Sequence, residues 1–388
     1  MRAAGVLAVL SAVLAASGAL LPTGARPSSD APWFVAAPAS PYAVGKQPAG
    51  VAIGDVNGDR RADAVVGNSG SDNATVLLGD GRGGFRQAPG SPFPAGPKPH
   101  IVVLGDVNGD GRLDCAFTEH DSVEVRVFLG KGDGRFERAP GSPFVAHSGK
   151  AHNHGLSFAD VNRDGRLDIV TSNQDSNSVS VLLGNGKGGF TAATGSPFAA
   201  GGNPYPHALG DVNGDGNLDI VTPNVRDDSM GILLGDGKGG FRPAAGSPLR
   251  VPTRPYYVGL GDVNDDGKLD VVLSHDDVNF VSVWLGDGRG GFRAAPGSPV
   301  DLGVRGWRIL LRDLNGDGRL DLITSSGFGG VIVMRGDGHG GFSRAPGSPY
   351  PTGRGPWNFD VGDLNGDGKL DVVTANNEGN SVTVLLGK

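Results

Sequence analysis

The chain has 388 residues, of which 68 are Gly and 27 are Pro, and its formal net charge is −7. This much Gly and Pro excludes a helical bundle or a coiled coil, whereas 38% apolar residues leave enough material for a core of short strands. The acidic balance without a basic cluster argues against a nucleic-acid partner. The single cysteine, Cys115, excludes a disulfide framework, and its apolar surroundings predict that it replaces a core aliphatic residue.

The first residues predict an export signal. Arg2 precedes an apolar, alanine-rich run, and small residues then predict cleavage near Ala19 or Ala25. The alternative is a membrane anchor, because the uncut run is long enough to span a bilayer. We therefore expect a signal peptide over 1–25, a short linker over 26–33, and a secreted, periplasmic or cell-surface protein with no stable membrane span after cleavage.

A nine-residue Asp-rich segment recurs along the rest of the chain at intervals of 50 to 54 residues. One short apolar run precedes each copy and two follow it, and a Gly-rich turn, a Phe and a Ser-Pro pair complete the unit. These are strand and turn signals, and four strands in about 50 residues match a propeller blade. The seven copies begin at Asp55, Asp106, Asp160, Asp211, Asp262, Asp313 and Asp363.

The two ends of the chain distinguish a closed ring from an open stack. The last copy stops after its third apolar run, at 382–388, and the missing outer segment stands at the N-terminus, where 34–41 matches 292–299. Closing the ring in this way removes the edges that an open stack would expose. The sequence therefore predicts an all-β fold, a monomeric seven-bladed β-propeller of four-stranded blades over 34–388, with the last blade closed by the N-terminal strand.

The nine-residue segments have the donor pattern of a calcium loop. In DVNGDGRLD, from Asp106 to Asp114, side-chain oxygens stand at positions 1, 3, 5 and 9, and the Gly at position 6 permits a sharp turn. Ca²⁺ takes 6 to 8 oxygen ligands, whereas Mg²⁺ demands a tighter octahedron. Hairpin propensity would explain one such loop, but not seven in one register. The first loop departs from the pattern at Arg60 and Ala62, so we expect a weak or empty site there.

The predicted calcium ligands are the side chains at positions 1, 3, 5 and 9 and the carbonyl at position 7. The side-chain ligands are Asp55, Asn57, Asp59 and Asp63; Asp106, Asn108, Asp110 and Asp114; Asp160, Asn162, Asp164 and Asp168; Asp211, Asn213, Asp215 and Asp219; Asp262, Asn264, Asp266 and Asp270; Asp313, Asn315, Asp317 and Asp321; and Asp363, Asn365, Asp367 and Asp371. The carbonyl ligands are those of Arg112, Arg166, Asn217, Lys268, Arg319 and Lys369.

In each unit the Asp-rich loop follows the first predicted strand, and a further strand, a Gly-rich turn and a Phe come after the loop. In this order of elements the sequence resembles the FG-GAP or VCBS repeat family, the integrin-α-like seven-bladed propellers. The resemblance covers essentially all of 34–388. It implies the propeller fold and calcium binding. It does not imply a single activity, because members serve as adhesion heads, lectins and parts of polysaccharide-degrading enzymes.

A second column of residues differs from blade to blade and predicts a ligand site. Six residues before each loop, the innermost strand begins on the face opposite the loops, and six of the seven positions there carry an aromatic or imidazole ring. Such rings suit sugars or peptides, although packing wedges between blades are the alternative. We therefore expect a binding or adhesion module for carbohydrate or an extracellular protein. The predicted ligand-binding residues are His100, His154, Tyr205, Tyr256, Trp307 and Trp357, and Ala49 is the seventh member of the column.

Two further groups are expected near this column. Five residues past each loop stands a mostly polar set: Asn68, Glu119, Asn173, Asn224, His275, Ser326 and Asn376. In addition, four histidines from three consecutive blades could converge into a transition-metal site or an acid–base centre: His100, His152, His154 and His207. That convergence carries the alternative function, an enzyme of polysaccharide or small-molecule breakdown, although no nucleophile elbow, phosphate loop or metalloprotease motif is present.

Overall fold

The computed structural model describes residues 31–150, 152–327 and 329–388. They form seven antiparallel sheets, the blades of a propeller, which we number 1 to 7 in the order of their Asp-rich loops. The predicted signal peptide and most of the linker lie outside the described residues. Within the described ranges the one helix is the 3-10 turn Gln174–Ser176, and no helix is long and apolar enough to cross a bilayer.

Each blade has an inner, a second and a third strand, which pair in chain order. The inner strands are Pro48–Gly54, Pro99–Gly105, Asn153–Ala159, Ala208–Gly210, Pro255–Gly261, Ile309–Arg312 and Pro356–Gly362. The second strands are Asp63–Asn68, Asp114–Glu119, Asp168–Asn173, Asp219–Asn224, Asp270–His275, Asp321–Ser326 and Asp371–Asn376. The third strands are Asn73–Gly79, Glu124–Gly130, Ser178–Gly184, Ser229–Gly235, Phe280–Gly286, Gly330–Gly336 and Ser381–Gly387.

The outer strand of each blade is divided into two short segments that both pair with the third strand. A turn with a cis Ser–Pro peptide separates them, and its Ser hydroxyl accepts a third-strand N–H, as Ser196 Oγ does from Val181 N at 2.9 Å. The first segments are Phe85–Gln87, Phe136–Arg138, Phe190–Ala192, Phe241–Pro243, Phe292–Ala294, Phe342–Arg344 and Phe34–Ala36. The second segments are Phe93–Pro94, Phe144–Val145, Phe198–Ala199, Leu249–Arg250, Val300–Asp301, Tyr350–Pro351 and Tyr42–Ala43.

The N-terminal segment closes the ring, as the sequence predicts. Phe34–Ala36 pairs antiparallel with the end of the third strand of blade 7, and Ala37 N donates to Val384 O at 2.9 Å. Tyr42–Ala43 pairs with the beginning of the same strand. Blade 7 is therefore built from both ends of the chain, and the predicted fold class is confirmed.

The core lies between the blades. Seven apolar clusters each join two neighbouring blades, so the packing forms a closed ring of seven layers. Cys115 is fully buried in the layer between blades 1 and 2, which confirms its predicted core role. The inner strands approach closely around the axis: a Cβ on Gly50 would lie 2.4 Å from the His100 carbonyl oxygen. A small residue at this position therefore lets the inner strands of blades 1 and 2 pack closely.

Candidate functional site

The two candidate sites lie at opposite ends of the inner strands. His100 is near the start of the inner strand Pro99–Gly105, and the Asp-rich loop of blade 2 follows the strand's last residue. Six residues at about 3.3 Å per residue separate the two ends by about 20 Å. We call the side with the Asp-rich loops the loop face and the opposite side, around the channel opening, the mouth face.

Each Asp-rich loop wraps its backbone around the carboxylate at position 1. In blade 2, Asp106 Oδ1 accepts the N–H of Gly109 at 2.7 Å, and Oδ2 accepts that of Gly111 at 2.8 Å. Gly111 has φ +82°, as the predicted sharp turn at position 6 requires. The side chains of Asn108 and Asp110 approach to 3.2 Å. The oxygen-bearing side chains at positions 1, 3 and 5 therefore gather on one small loop.

The aspartate at position 9 also has a structural role that sequence reasoning missed. We call these seven residues the anchor aspartates. They are fully buried, and each accepts one N–H from its own loop and one from the end of the third strand. For example, Asp114 accepts from Val107 N at 2.9 Å and from Gly130 N at 2.8 Å. The anchor aspartates are Asp63, Asp114, Asp168, Asp219, Asp270, Asp321 and Asp371.

The electrostatics of the loops fit a divalent cation. Burial, with a smaller contribution from repulsion by the Asp106 and Asp110 carboxylates, raises the pKa of the Asp114 carboxyl to about 6, although the two backbone N–H donors act in the opposite direction. Three carboxylates on one small loop therefore repel one another, and a bound cation would relieve that repulsion. Carboxylate and amide oxygens are the donors that Ca²⁺ prefers, so the residues present fit calcium.

The Asp-rich loop of blade 1, Asp55 to Asp63, which we call loop 1, keeps the shape of the other loops despite its different sequence. Arg60 takes the position-6 conformation with φ +65°, and its N–H donates to Asp55 Oδ2 at 2.7 Å. A non-glycine residue in this left-handed region costs roughly 1–2 kcal/mol. The expected weakness of this loop as a calcium site therefore rests on strain and on the nearby positive charge, and it stays a prediction.

On the mouth face, four rings of the predicted column form a continuous ladder. The centroids of His100 and His154 are 5.1 Å apart, and Tyr205 stacks on His154 at 4.4 Å with planes inclined by 22°. Tyr256 continues the ladder at 4.3 Å from Tyr205. The two histidines are buried and the two tyrosines are half-buried. The structure therefore brings these rings together across blades 2 to 5.

The two tryptophans form a second part of the same ring of residues. Trp307 and Trp357 meet edge to face at 5.9 Å, and Arg305 lies over the Trp307 ring at 5.6 Å. Trp357 is 39% exposed, whereas Trp307 is half-buried. A large apolar surface that remains open to solvent is the property expected of a stacking platform rather than of a packing wedge.

A backbone irregularity presents most of these side chains. In five inner strands the pairing with the second strand shifts register at the predicted column. In blade 3, for example, Asn153 and Gly155 pair with Asn173 and Ser172, which leaves His154 as an extra residue. Such a bulge re-aims a side chain, and the His154 ring packs between His100 and Tyr205.

The polar set past each loop lies near the column, as the sequence predicts, but its side chains do not line the mouth. These residues lie at the level of the column but are buried inside the blades, because each ends a second strand between two others. Asn376 Nδ2, for example, donates to Ser381 Oγ at 3.1 Å and to Thr383 Oγ1 at 2.9 Å. Amides at this position therefore join the second strand to the third.

Three histidines converge beside the ladder. His152 Nε2 lies 3.2 Å from His120 Nε2 and 2.9 Å from His154 Nε2. His207, which the sequence placed in this group, instead contacts Ser172 Oγ through Nδ1 at 2.9 Å. His207 stands two residues after Tyr205, the column residue of blade 4, and it packs between blades 3 and 4. His120 was missed, although it follows directly after the polar set.

Several buried polar atoms around the mouth and the channel have no hydrogen-bond partner among the described residues. They are His100 Nδ1, His207 Nε2, Trp307 Nε1, Arg308 Nε and Asn358 Oδ1. Burial lowers the pKa of His207 to about 4, so this imidazole is neutral at pH 7. Because buried polar groups nearly always find a partner, these atoms indicate that water or a ligand completes the site.

A shallow cleft of about 600 Å³ lies on the loop face between blades 4 and 5. Its charged lining residues are Asp211, Lys268, Asp287 and Arg289, and the remainder is mostly Gly. The lining contains no aromatic side chain, and none of its side chains has a buried polar atom that lacks a partner. We therefore regard it as the groove between two blades, despite its volume, and place the candidate ligand site on the mouth face.

A seven-bladed β-propeller with an acidic nine-residue loop in every blade is the class of protein that these features define. The FG-GAP-like repeat model matches residues 55–117, 106–171, 160–222, 262–324 and 313–374, most of the chain. The protein belongs to the FG-GAP-like repeat family, which confirms the resemblance. A sequence comparison with curated proteins finds no match.

Solved structures with similar folds include binding proteins and an enzyme. BBS1N, crystallised in complex with ARL6DN, matches with TM-score 0.62 and 12% identity over 92% of this chain and 97% of that one. An Agrocybe aegerita lectin specific for non-reducing terminal N-acetylglucosamine matches with TM-score 0.54 and 20% identity over 87% and 86%. Virginiamycin B lyase from Staphylococcus aureus matches with TM-score 0.54 and 14% identity over 88% and 94%. Identities this low show the fold alone.

Proposed function

We propose that the protein is an exported, calcium-binding β-propeller that binds carbohydrate on its mouth face. The observation that carries the ligand proposal is the set of half-exposed aromatic rings beside buried polar atoms without a partner, such as Trp307 Nε1 and Asn358 Oδ1. Sugars offer apolar C–H faces that stack on aromatic rings and hydroxyls that both donate and accept hydrogen bonds. Both kinds of group are available at the mouth.

Calcium supports this function by holding the loops. In each loop the anchor aspartate links the ion-binding segment to the third strand, so an ion bound there would stabilise the blade as well as the loop. Extracellular calcium modules bind with Kd of about 0.1 to 1 mM. Calcium at ten times the Kd stabilises the folded state by about 1.4 kcal/mol for each filled site.

The carbohydrate assignment is supported by the ladder and by one of the similar folds. Trp357 is open to solvent, and the half-buried rings of Tyr205 and Tyr256 continue the aromatic surface on the other side of the mouth. The Agrocybe aegerita lectin shows that a similar propeller fold serves a protein that recognises a terminal sugar. A protein ligand is the alternative, because BBS1N was crystallised in complex with ARL6DN.

The direct experiment is a glycan array probed with the wild-type protein, with and without a calcium chelator. Trp357→Ala removes the most exposed ring and should abolish glycan retention, while calcium uptake and melting stay nearly unchanged. Val145→Ala is the matched control, because Val145 is a 59% exposed apolar residue on an outer strand and its loss should leave retention intact.

Each outcome separates the alternatives. Loss of retention in Trp357→Ala with unchanged melting supports the stacking site. If Trp307→Ala and Trp357→Ala instead destabilise the protein by several kcal/mol, the rings are packing wedges. Absence of any retained glycan argues against carbohydrate and leaves the protein ligand. Cleavage of an oligosaccharide by the wild type would support the enzyme alternative instead.

A further inference from the structure

The three converging imidazoles of His120, His152 and His154 do not belong to the calcium loops. Their ligand nitrogens all lie within 4.8 Å of one another, and they come from the loop that follows the second strand of blade 2 and from the start of the inner strand of blade 3. We propose that these three Nε2 atoms bind one transition-metal ion, with Zn²⁺ as the best fit, at the edge of the channel mouth.

The hydrogen-bond pattern explains why a cation is needed there. Asp121 Oδ1 lies 2.7 Å from His120 Nδ1, which favours the tautomer in which Nδ1–H donates to the carboxylate and the Nε2 lone pair is on the side of His152. One proton on His152 Nε2 can be directed at only one of its two neighbours. The other nitrogen, at 2.9 or 3.2 Å, is then left without a directed hydrogen bond, whereas a metal ion shared by all three rings would accept the lone pair of each Nε2.

The distances also match a metal site. Zinc binds histidine nitrogen at about 2.0–2.1 Å, so two ligands on one tetrahedral ion are about 3.3–3.4 Å apart. The observed separations of 3.2 Å and 2.9 Å from His152 Nε2 differ from this by a few tenths of an ångström. The third pair, His120 and His154, lies within 4.8 Å, so rotation of the imidazoles is needed to bring all three nitrogens onto one ion.

A carboxylate contacts the Nδ1 atom of one ligand, and a second carboxylate lies near the Nδ1 atom of another. Asp121 contacts His120 Nδ1 and also pairs with Lys98, while Asp175 Oδ2 lies 3.6 Å from His152 Nδ1. Carboxylate–histidine–metal arrangements of this kind orient the ring and raise its basicity.

Three protein ligands leave one position open, the arrangement of a zinc site that accepts water or an outside ligand. The His120 side chain is 38% exposed and that of His152 is 22% exposed, so an ion and an outside ligand could reach the cluster from solvent. Tyr205 stacks on His154, and the site therefore adjoins the aromatic ladder. Nitrogen ligands distinguish it from the oxygen-only loops, because Ca²⁺ prefers hard oxygen donors.

The test measures metal binding directly, on protein without a polyhistidine tag. The chain is stripped with EDTA, restored to millimolar Ca²⁺, and titrated with Zn²⁺ by calorimetry; Co²⁺ loading gives a visible d–d spectrum that reports nitrogen ligation. The variants are His120→Gln, His152→Gln and Asp121→Asn. The control is His339→Gln, which changes an exposed histidine on the loop face.

We expect one Zn²⁺ per wild-type chain, at least a hundredfold weaker binding in His120→Gln and His152→Gln, and a tenfold to hundredfold loss in Asp121→Asn. The His339→Gln variant should bind as the wild type does, and melting of all four variants in Ca²⁺ should be unchanged. No Zn²⁺ uptake by the wild type, or equal uptake by His120→Gln and His152→Gln, would overturn the proposal. The glycan result is independent of this one, so either can fail alone.

Discussion

Ring closure makes a quantitative prediction at Phe34. This side chain is 3% exposed and belongs to the apolar layer between blades 6 and 7. It meets Tyr350 edge to face at 5.3 Å and packs in the same cluster as Phe359 and Leu385. Phe34→Ala therefore opens a cavity at the seam between the N-terminal strand and the rest of the ring.

The size of the effect follows from burial. Replacing a buried Phe by Ala costs about 3–5 kcal/mol. Unfolding entropy of about 2.1 cal/mol/K per residue gives about 0.75 kcal/mol/K for roughly 355 ordered residues, so a ring that unfolds as one unit should melt about 4–7 °C lower.

Scanning calorimetry at fixed calcium concentration measures this shift. Val35→Ala is the control from the same strand, because Val35 is only half-buried and its truncation should shift melting by less than about 2 °C. A deletion of 1–43 should expose the edge of Ser381–Gly387 and cause aggregation, whereas a deletion of 1–30 should not. If Phe34→Ala has the same melting temperature as the wild type, the N-terminal strand does not close the ring.

Three further predictions concern the loops and the channel. Arg60→Gly should relieve the strain in loop 1 and add one calcium ion per chain in calorimetric titration; an unchanged stoichiometry would contradict it. In calcium-free protein, Asp168→Ala leaves two buried backbone N–H groups unsatisfied and should lower the free energy of unfolding, measured in urea, by about 2–4 kcal/mol. Asp160→Ala, in the exposed part of the loop, should lower it by less than about 1 kcal/mol. Equal losses would mean that Asp168 is not an anchor. The pKa of His207 is depressed by burial from 6.5 to about 4, so its neutral form contributes stability above pH 6.5 that is lost as pH falls toward 4, up to about 3 kcal/mol. His207→Gln should therefore flatten acid destabilisation in that window, and an unchanged pH profile would refute the assignment.

The architecture could be predicted from the sequence because each blade repeats the same local signals. The Asp-rich loop, the third apolar run and the Phe that follows it fix three strands and one turn in every unit. The division of the outer strand could not be predicted, because it depends on a side chain. Pro197 interrupts the outer strand, and Ser196 Oγ accepts the third-strand N–H that would otherwise lack a backbone acceptor there.

The mouth face was predicted in part. The column that contains His154 could be found because its residue type varies from blade to blade while the rest of the repeat varies little. The bulge that takes His154 out of the pairing register has no signal in a single sequence. Of the four histidines predicted to converge, His152 and His154 belong to the cluster and His100 packs against it, whereas His207 lies elsewhere and His120 takes part instead. His120 follows directly after Glu119 of the polar set, so a comparison of the residue at this next position in every blade would have identified it. His207 was included only because it is a histidine, not because it occupies an equivalent position in its blade.

The bulges on the mouth face have a consequence for how such a protein can change. A bulged residue such as His154 is left out of the pairing register, so replacing its side chain breaks no rung of the sheet. Five blades thus offer one replaceable position each, on a frame that is stabilised by the apolar layers between the blades and by the loops about 20 Å away. Substitutions at positions that touch, such as Tyr205 and Tyr256, should act jointly, while those across the opening should act independently. New ligand specificities are therefore accessible by a few point mutations that leave the ring itself intact.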